Sequence, residues 1–243
     1  METKNGAGHL MDRNKLLSVK TRLELDLELA EYIISVLSND IDEYGNASLI
    51  VSGGSTPVQL FKLLSHYNID WSKITISLVD ERFVPDDHPD QNGQMIKQNL
   101  LKKSASKAIF LPMVLNQINP IENLKQVRSQ MKSIRRPFSM VILGMGLDGH
   151  TASLFPEAME LDEGMRLNTN QDIIISHPSN APHERITFTR KSLLNTSRLV
   201  LHCYGKEKKA ILDKAKVLDD YRPYPIQGFI NQDKVELKIY WTE

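Results

Sequence analysis

Asp148 and His150 lie in a short glycine-rich loop between two stretches of apolar sequence. Gly144, Gly146 and Gly149 allow the backbone of that loop to adopt positive φ angles and let a ligand approach it closely. Imidazole titrates near neutral pH, so His150 could take a proton from water while a neighbouring carboxylate orients the ring. A tight turn with a capping aspartate would explain a lone Gly-x-Gly, but here an acid, an imidazole and three glycines share one window. This loop is therefore the first candidate for a catalytic site.

A second polar cluster, Ser-Gly-Gly-Ser-Thr-Pro at 52–57, has the composition of an anion-binding loop. Its glycines leave backbone N–H groups open, its hydroxyls add donors, and a following helix would present its N-terminal dipole. The Gly-Lys-Ser/Thr of a P-loop does not follow, and the Gly-x-Gly-x-x-Gly pattern of dinucleotide sites is absent. A phosphate monoester suits this loop better than a nucleotide. The alternative without a ligand is a serine cap after a glycine turn.

The third cluster is Asp80-Glu81-Arg82, which follows the apolar run 74–79. Successive residues of an extended strand face opposite ways, so Asp80 and Arg82 are predicted to share a side while Glu81 points away. A permanently charged guanidinium could stabilise negative charge that develops in a transition state. The alternative is a surface ion pair, which contributes little to stability.

Apolar runs alternate with helical periodicity along the chain, which predicts an α/β fold with a mostly parallel sheet and helices on both faces. Ligands of such sheets bind outside the carboxyl ends of the strands, so the three clusters should share one cleft. The glycine loop is predicted to lead into a helix that begins at Thr151. Residues 1–243 are predicted to form one domain, with 1–15 as a loose lead-in. The predicted strands are 48–51, 74–79, 109–111, 140–143, 173–175, 185–189, 199–204 and 235–241, and the predicted helices are 23–37, 58–65, one ending near 101, 121–134, 193–194 and 206–217.

Charge and cysteine content narrow the possible functions. The chain has 30 basic and 30 acidic residues, so its charge gives no reason to expect nucleic acid or a membrane as a partner. Cys203 is the only cysteine, which excludes an intrachain disulfide and favours a cytoplasmic location. Without a His-x-x-x-His pair or a thiolate cluster, no metal site is predicted, and no cofactor is expected. The Gly-x-Ser-x-Gly elbow of many serine hydrolases is also absent.

Taken in this order, the clusters resemble the 6-phosphogluconolactonase family, which is related to the glucosamine-6-phosphate isomerases/deaminases. The resemblance covers most of the chain from about 48 to 210. The matching stretches are SGGSTP at 52–57, LVDERFVP at 78–85, GMGLDGHTASLFP at 144–156, RIT at 185–187 and GKEK at 205–208. The resemblance implies a Rossmann-like α/β fold and hydrolysis of 6-phospho-D-glucono-1,5-lactone, a step of the pentose phosphate pathway, without metal or cofactor.

For catalysis, the resemblance matches His150 to the family's base, and Asp80 and Arg82 to its Asp-x-Arg pair. A lactone is an activated ester, so water and a general base suffice for its hydrolysis. Arg82 and N–H groups of the glycine loop would stabilise the oxyanion, and either Asp80 or Asp148 would orient the imidazole.

The resemblance also implies a set of substrate-binding residues, and a sugar-phosphate lactone is the expected partner of a monomer or homodimer. These residues are Gly53, Gly54, Ser55, Thr56, Asn92, Gly146, Arg185 and Lys208. Lys206 is near enough in sequence to be an alternative to Lys208. Gln91 stands where the family usually has a serine, which leaves the role of that hydroxyl open.

Two other functions remain open from the sequence. An isomerase/deaminase acting on glucosamine 6-phosphate would share the phosphate loop and the Asp-Gly-His triplet. Its relatives carry Ala-Phe-Asn-Glu-Pro after the histidine, with a glutamate that supports it, whereas this chain has Phe155 at that position. A sugar-phosphate-binding module without catalysis would keep the phosphate loop but would not need His150, Asp80 and Arg82 together.

Overall fold

The structure is a computed structural model that describes residues 15–243, and it contains a large sheet and a small one. The strands of this part of the chain are β1 (Lys15–Ser18), β2 (Ala47–Val51), β3 (Ile74–Leu78), β4 (Asp80–Arg82), β5 (Ile109–Leu111), β6 (Met140–Leu143), β7 (Ile173–Ser176), β8 (Arg185–Phe188), β9 (Leu199–Tyr204) and β10 (Leu237–Thr242). The helices are α1 (Arg22–Tyr44), α2 (Val58–Leu64), α3 (Asn92–Asn99), α4 (Pro120–Met131), α5 (Leu161–Met165), α6 (Arg190–Leu193), α7 (Lys206–Lys216) and α8 (Gln227–Ile230).

The large sheet contains seven parallel strands in the order β1-β10-β9-β6-β2-β3-β5. From β2 the chain continues to β3 and β5 on one side, whereas from β6 it continues to β9 and β10 on the other. Crossovers between parallel strands are right-handed, so α1, α2 and α3 cover one face and α4 and α7 cover the other. In agreement, α2 packs against both α1 and α3. The predicted α/β fold, with a mostly parallel sheet and helices on both faces, is confirmed.

The first helix shows how local sequence sets the ends of an element. Thr21 and Glu24 form a reciprocal capping box, in which the Thr21 N–H donates to the Glu24 carboxylate at 3.1 Å and the Glu24 N–H donates to Thr21 Oγ1 at 3.2 Å. At the other end, Gly45 stops the helix with a φ of 78°. The predicted helix 23–37 is therefore correctly placed, but it continues to Tyr44.

The small sheet has three antiparallel strands in the order β4-β8-β7, and the sequence pattern does not predict it. The apolar run 74–79 predicts a single strand, but the chain changes sheets at its end. The Val79 N–H donates to Val51 of the large sheet at 2.9 Å, whereas the Val79 carbonyl accepts the Phe188 N–H of the small sheet at 3.0 Å. Val79 thus links the two sheets, and the polar triplet after it forms a strand of its own.

The prediction that a helix begins at Thr151 is wrong. Thr151 and Leu154 instead close a tight turn through an isolated bridge, and Ala152 has a φ of 50°. A residue in the left-handed region cannot continue a right-handed helix, so the chain leaves the glycine loop as a turn. The next helix is the five-residue α5, in a segment for which no element is predicted.

At the N-terminus, Lys15 belongs to β1, which pairs in parallel with β10. The last residue of the predicted loose lead-in is therefore part of the large sheet. The other residues of that lead-in, 1–14, lie outside the described residues. Among the described helices, none is both long enough and apolar enough to cross a membrane.

Candidate active site

A cleft lies where β2 and β6 end side by side, at the point where the connections of the sheet change face. Ser52 joins the two strand ends, because its hydroxyl donates to the Ile142 carbonyl at 3.1 Å and accepts the Gly144 N–H at 2.7 Å. All three polar clusters of the sequence contribute to this cleft of about 230 Å³. Its lining residues are Ser52, Gly53, Gly54, Ser55, Thr56, Pro57, Asp80, Arg82, Asn92, Ile142, Leu143, Gly144, Met145, Gly146, His150, Ala152, His202 and Lys208.

The glycine loop holds Asp148 against the His150 imidazole. Oδ1 of Asp148 lies 2.6 Å from His150 Nδ1 and also accepts the backbone N–H of His150 at 3.1 Å. A Cβ atom at Gly146 would lie 2.3 Å from the imidazole and 2.6 Å from the Asp148 carboxylate, so only glycine leaves room for the pair. Gly149 has a φ of 75°, and its carbonyl accepts the Ile226 N–H at 3.0 Å. The loop is thereby anchored to the segment before α8.

The carboxylate of Asp148 determines which imidazole nitrogen of His150 is basic. Burial raises the pKa of this carboxyl, but the hydrogen bond and the charge of His150 outweigh burial, and the net pKa is lowered. An ionised carboxylate can only accept a hydrogen bond, so Nδ1 of the neutral imidazole carries the hydrogen. The basic lone pair is therefore on Nε2 of a ring that lines the cleft.

Phe155 packs on the imidazole of His150. The two ring centres are 4.3 Å apart, and the ring planes are tilted by 31°. An apolar ring restrains the imidazole without offering a second hydrogen-bond acceptor. Within residues 15–243, Asp148 is the carboxylate that pairs with His150.

Asp80 lines the cleft from β4, and its carboxylate is held by the segment that follows His150. Ser153 Oγ donates a short hydrogen bond to Asp80 Oδ2, and both residues are buried. Of the two aspartates that could orient the imidazole, Asp148 contacts His150 and Asp80 contacts Ser153. Asp80 thus joins the small sheet to the segment that carries the histidine.

Arg82 lines the same cleft and is oriented by the residues just before and at the start of α3. Its Nη1 donates to the Asp90 carbonyl at 2.7 Å and to the Asn92 side-chain oxygen at 2.6 Å. The Asn92 amide nitrogen donates in turn to the Asp80 carbonyl at 3.1 Å. A Cβ atom at Gly53 would lie 2.0 Å from the Asn92 oxygen, so this position also requires glycine. Asn92 therefore packs between the guanidinium and the glycine-serine loop.

Glu81 is buried and does not line the cleft, which agrees with its predicted orientation. Its carboxylate accepts the N–H groups of Arg82, Asn92 and Gly93 at 2.7, 2.8 and 2.7 Å. The last two residues open α3, so Glu81 satisfies N–H groups that a helix N-terminus leaves unpaired. Burial raises the pKa of Glu81 to about 7, even though the three donors favour its ionised form. The alternation of strand residues predicts where Glu81 points, but not that it supports Arg82 and Asn92.

The glycine-serine loop and α7 supply candidate ligands for a phosphate. Within residues 15–243, the backbone N–H groups of Gly53–Thr56 donate to no protein acceptor, and these residues line the cleft. Lys208 also lines the cleft, and burial lowers the pKa of its ammonium. The Lys206 side chain is 76% exposed and pairs with Glu243 at 3.0 Å. The geometry thus favours Lys208 over Lys206 as the phosphate ligand.

Arg185 lies opposite Arg82 in the ladder between β8 and β4, and it is not among the residues that line the cleft. It is 5% exposed, and its Nε and Nη1 atoms have no hydrogen-bond partner in the described part of the chain. Burial, assisted by the charge of Arg82, lowers the pKa of its guanidinium. Burying a cation without an acceptor is costly, and an anionic group of a ligand would supply the missing acceptor.

His202 also lines the cleft, although its place inside a strand gives no indication of this in the sequence. It is 2% exposed, and its Nε2 lies 2.9 Å from Oδ1 of Asp26 in α1 without the geometry of a hydrogen bond. The Tyr204 hydroxyl donates to the same oxygen at 2.5 Å. Because Asp26 is remote in sequence, no local motif predicts this buried pair.

Known proteins resemble this chain over nearly its whole length. The family model described as glucosamine-6-phosphate isomerases/6-phosphogluconolactonase matches residues 20–241. The chain belongs to this family. A member from Rhizobium meliloti, named 6-phosphogluconolactonase, is 38% identical over 214 residues, which are 88% of this chain and 92% of that protein. A member of the same name from Neisseria meningitidis serogroup A is 35% identical over 217 residues, covering 88% of this chain and 93% of that protein.

A solved structure agrees with these matches. The crystal structure of a 6-phosphogluconolactonase from Shewanella baltica superposes with a TM-score of 0.91 at 36% identity, and the match covers 95% of this chain and 98% of that chain. These three relatives all carry the lactonase name. The chain is therefore similar to the 6-phosphogluconolactonases of the family.

Proposed function

We propose that this chain hydrolyses 6-phospho-D-glucono-1,5-lactone to 6-phosphogluconate, the lactonase step of the pentose phosphate pathway. The observation that carries this proposal is the Asp148–His150 pair, whose imidazole lines a cleft together with Arg82 and the loop Gly53–Thr56. A general base, a fixed cation and an anion-binding loop are the groups that hydrolysis of a phosphorylated lactone requires. The shared name of the relatives supports the same reaction.

The proposed reaction begins when His150 Nε2 takes a proton from water as the water oxygen attacks the lactone carbonyl carbon. The carbonyl oxygen becomes an oxyanion, which Arg82 stabilises through N–H donors other than Nη1. The ionised Asp148 stabilises the imidazolium that forms. As the tetrahedral intermediate collapses, the bond from the carbonyl carbon to the ring oxygen breaks, and His150 returns the proton to that oxygen. General acid–base catalysis of this kind contributes about 10²–10⁴-fold to the rate.

The 6-phosphate is proposed to position the lactone and to take no part in bond breaking. In the described part of the chain, the loop Gly53–Thr56, with unpaired backbone N–H groups, and Lys208 line the cleft, and Arg185 has unused donors and lies opposite Arg82 in the strand pair. Contacts to a part of the substrate that does not react convert binding energy into orientation at the carbonyl carbon. A lactone that lacks the phosphate should therefore be a poorer substrate in both kcat and KM.

The isomerase/deaminase reaction of the same family is disfavoured by Phe155. Its ring packs on the imidazole at the position where relatives with that activity are expected to carry a supporting glutamate. A phenyl ring cannot accept a hydrogen bond from His150 as a carboxylate would. Release of ammonia from glucosamine 6-phosphate at a rate comparable with lactone hydrolysis would overturn the lactonase assignment.

A sugar-phosphate-binding module without catalysis would need the anion-binding groups but not an oriented base. Gly146 argues for the enzyme, because the absence of its side chain serves to seat the Asp148–His150 pair. A binding module would not need this pair to be seated. Repeated turnover at substrate excess distinguishes the two functions.

The experiment that tests the proposal is a pH-stat assay on freshly prepared 6-phosphogluconolactone, corrected for spontaneous hydrolysis. We expect many turnovers per chain, much slower hydrolysis of glucono-1,5-lactone, and no ammonia from glucosamine 6-phosphate. Binding of 6-phosphogluconate without acceleration over the spontaneous rate would contradict the proposal and favour the binding module.

A further inference from the structure

Near Arg82, two loops bring together two imidazoles and a carboxylate that the proposed reaction does not use. His88 and Asp90 belong to the loop between β4 and α3, and His183 belongs to the loop between β7 and β8. Each residue can offer one ligand atom, and these atoms all lie within 4.8 Å of one another. His183 is 93 residues away from Asp90, so the trio cannot be found from a local sequence motif.

We propose that His88, Asp90 and His183 bind one divalent transition-metal ion such as Zn²⁺, which fastens the two loops together. Asp90 Oδ2 lies 3.0 Å from His183 Nε2 and 3.9 Å from His88 Nδ1. Ligand atoms about 2.1 Å from a tetrahedral Zn²⁺ are separated by roughly 3.4 Å. The two observed separations lie on either side of this value, and the ligand atoms of His88 and His183 lie within 4.8 Å of each other, so rotation of exposed side chains would bring the three atoms around one ion.

The donor atoms select the class of ion. Two imidazoles with one carboxylate suit Zn²⁺, Co²⁺ or Ni²⁺, whereas Mg²⁺ and Ca²⁺ prefer oxygen ligands. The side chains of His88, Asp90 and His183 are 34%, 51% and 27% exposed, so an ion can enter from solvent and water can complete its coordination.

The backbone conformation of His183 also favours a metal site here. His183 has a φ of 70°, a left-handed conformation that is costly for a residue with a side chain and that clusters at functional positions. The His88 and His183 rings meet edge to face, with their centres 5.1 Å apart. The Asp90 N–H donates to His88 Nδ1 at 3.1 Å, and this hydrogen bond would be exchanged for the ion.

The proposed ion would influence the cleft through the main chain of Asp90. The Asp90 carbonyl accepts Nη1 of Arg82 at 2.7 Å, and the Phe83 N–H already joins the same loop to the Glu184 carbonyl at 2.9 Å. An ion that holds the Asp90 side chain would stiffen the contact that orients Arg82. The ion takes no part in proton transfer, so lactone hydrolysis should persist when it is removed.

The test is calorimetric titration of the EDTA-stripped full chain with ZnCl₂, together with thermal unfolding in EDTA and in ZnCl₂. We expect one ion per chain at the highest-affinity site and a higher melting temperature in ZnCl₂. His183→Gln and His88→Gln should each weaken Zn²⁺ affinity by at least about tenfold, since even loss of an outer-shell partner commonly costs 10–100-fold. His66→Gln, at an exposed histidine outside the trio, is the matched control and should bind as the wild type does.

Thermal unfolding in EDTA shows whether each variant folds. If His183→Gln does not fold, the Zn²⁺ affinity of His88→Gln decides the outcome. The proposal is overturned if the wild type binds no Zn²⁺. It is also overturned if both trio variants bind Zn²⁺ within tenfold of the wild type. In that case, loss of binding in His150→Ala would place the ion in the cleft.

Discussion

The cleft contains two histidines that each face an aspartate, and the two pairs differ in burial and in what surrounds them. The His150 side chain is 30% exposed on a loop, and its Nδ1 lies 2.6 Å from Asp148. The His202 side chain is 2% exposed in a central strand, and its Nε2 lies 2.9 Å from Asp26. Tyr204 donates a hydrogen bond to Asp26, whereas a glycine makes the room that the other pair needs.

The difference in burial indicates which histidine–aspartate pair is suited to proton transfer. A general base must reach water and substrate, and its ring must change charge repeatedly without disturbing the fold. His150 meets both conditions, because it is open to the cleft and a partly exposed carboxylate balances its charge. A change of charge on His202 would be confined among buried groups, where a lost or unpaired charge destabilises the protein. The same two residue types thus suit catalysis in one place and packing in the other.

The largest effect should come from breaking the first pair sterically, with Gly146→Ala. The new Cβ would lie 2.3 Å from the imidazole, so we expect kcat to fall by about 100-fold or more, within the range that a general base contributes. Gly144→Ala is the control, since its Cβ would meet Ser52 at an ordinary 3.5 Å. Steady-state kinetics on the lactone would contradict this explanation if both variants lost activity equally.

Replacing each aspartate in turn distinguishes the role of one histidine–aspartate pair in catalysis from the role of the other in stability. Asp148→Asn removes the charge that stabilises the imidazolium, and we expect kcat to fall by about 10–100-fold with little change in melting temperature. Asp26→Asn disrupts a buried pair, and we expect the free energy of unfolding to fall by about 3–5 kcal/mol while folded molecules keep most of their kcat. Urea unfolding and turnover measured on both variants check this contrast. The reverse pattern would show that the assignment of roles is wrong.

Glu81 provides a third case for comparison, a buried carboxylate that accepts backbone N–H groups instead of pairing with a histidine. Its pKa is raised from 4.5 to about 7, so between these pH values the folded chain holds a proton that the unfolded chain has released. Its contribution to the free energy of unfolding should therefore decrease as the pH rises from 4.5 to 7, by about 3 kcal/mol at most, and stay constant above pH 7. Subtracting the pH profile of Glu81→Gln from that of the wild type isolates this slope, and parallel profiles would contradict it.

Because Glu81 also accepts the N–H groups of Arg82 and Asn92, Glu81→Gln should lower kcat as well. An amide nitrogen in place of one carboxylate oxygen would face an N–H donor and disturb the start of α3. We therefore expect Glu81 to affect kcat through the residues that it holds, although it does not line the cleft.

The smallest effect concerns substrate binding. Lys208 lines the same cleft as His202, whereas Lys206 pairs with Glu243 on the surface. We expect Lys208→Ala to raise KM for the phosphorylated lactone by about tenfold, as the loss of one charge-assisted hydrogen bond would. Lys206→Ala should leave KM near the wild-type value. Equal KM values for the two variants would remove Lys208 from the phosphate site.

The features predicted correctly from the sequence are those that depend on local pattern. The apolar run 140–143 and the glycines after it predict both a strand and the loop that carries His150. In a parallel sheet the carboxyl ends of neighbouring strands lie together, so the cleft between that loop and Gly53–Thr56 could be expected without a structure. The strand alternation from Ile74 onward likewise predicts that Glu81 lies outside the cleft.

The features that were missed depend on contacts between distant segments. Val79 pairs with both sheets, so the strand β4 exists only because β8 lies beside it. Ala152 lies in the left-handed region where a helix was expected, and the next residue, Ser153, forms hydrogen bonds with Thr187 and Asp80 of the small sheet. The contact between Asp26 and His202 needs α1 and β9 to be in place first. No window of sequence contains both members of these pairs.

The claim that His150 is the base for lactone hydrolysis is tested most directly by the turnover of His150→Ala. With spontaneous hydrolysis subtracted, we predict a fall in kcat of about 10²–10⁴-fold. Binding of 6-phosphogluconate and the melting temperature should stay close to the wild-type values, because the anion-binding groups and the core are unchanged. Turnover near the wild-type rate in this variant would contradict the mechanism.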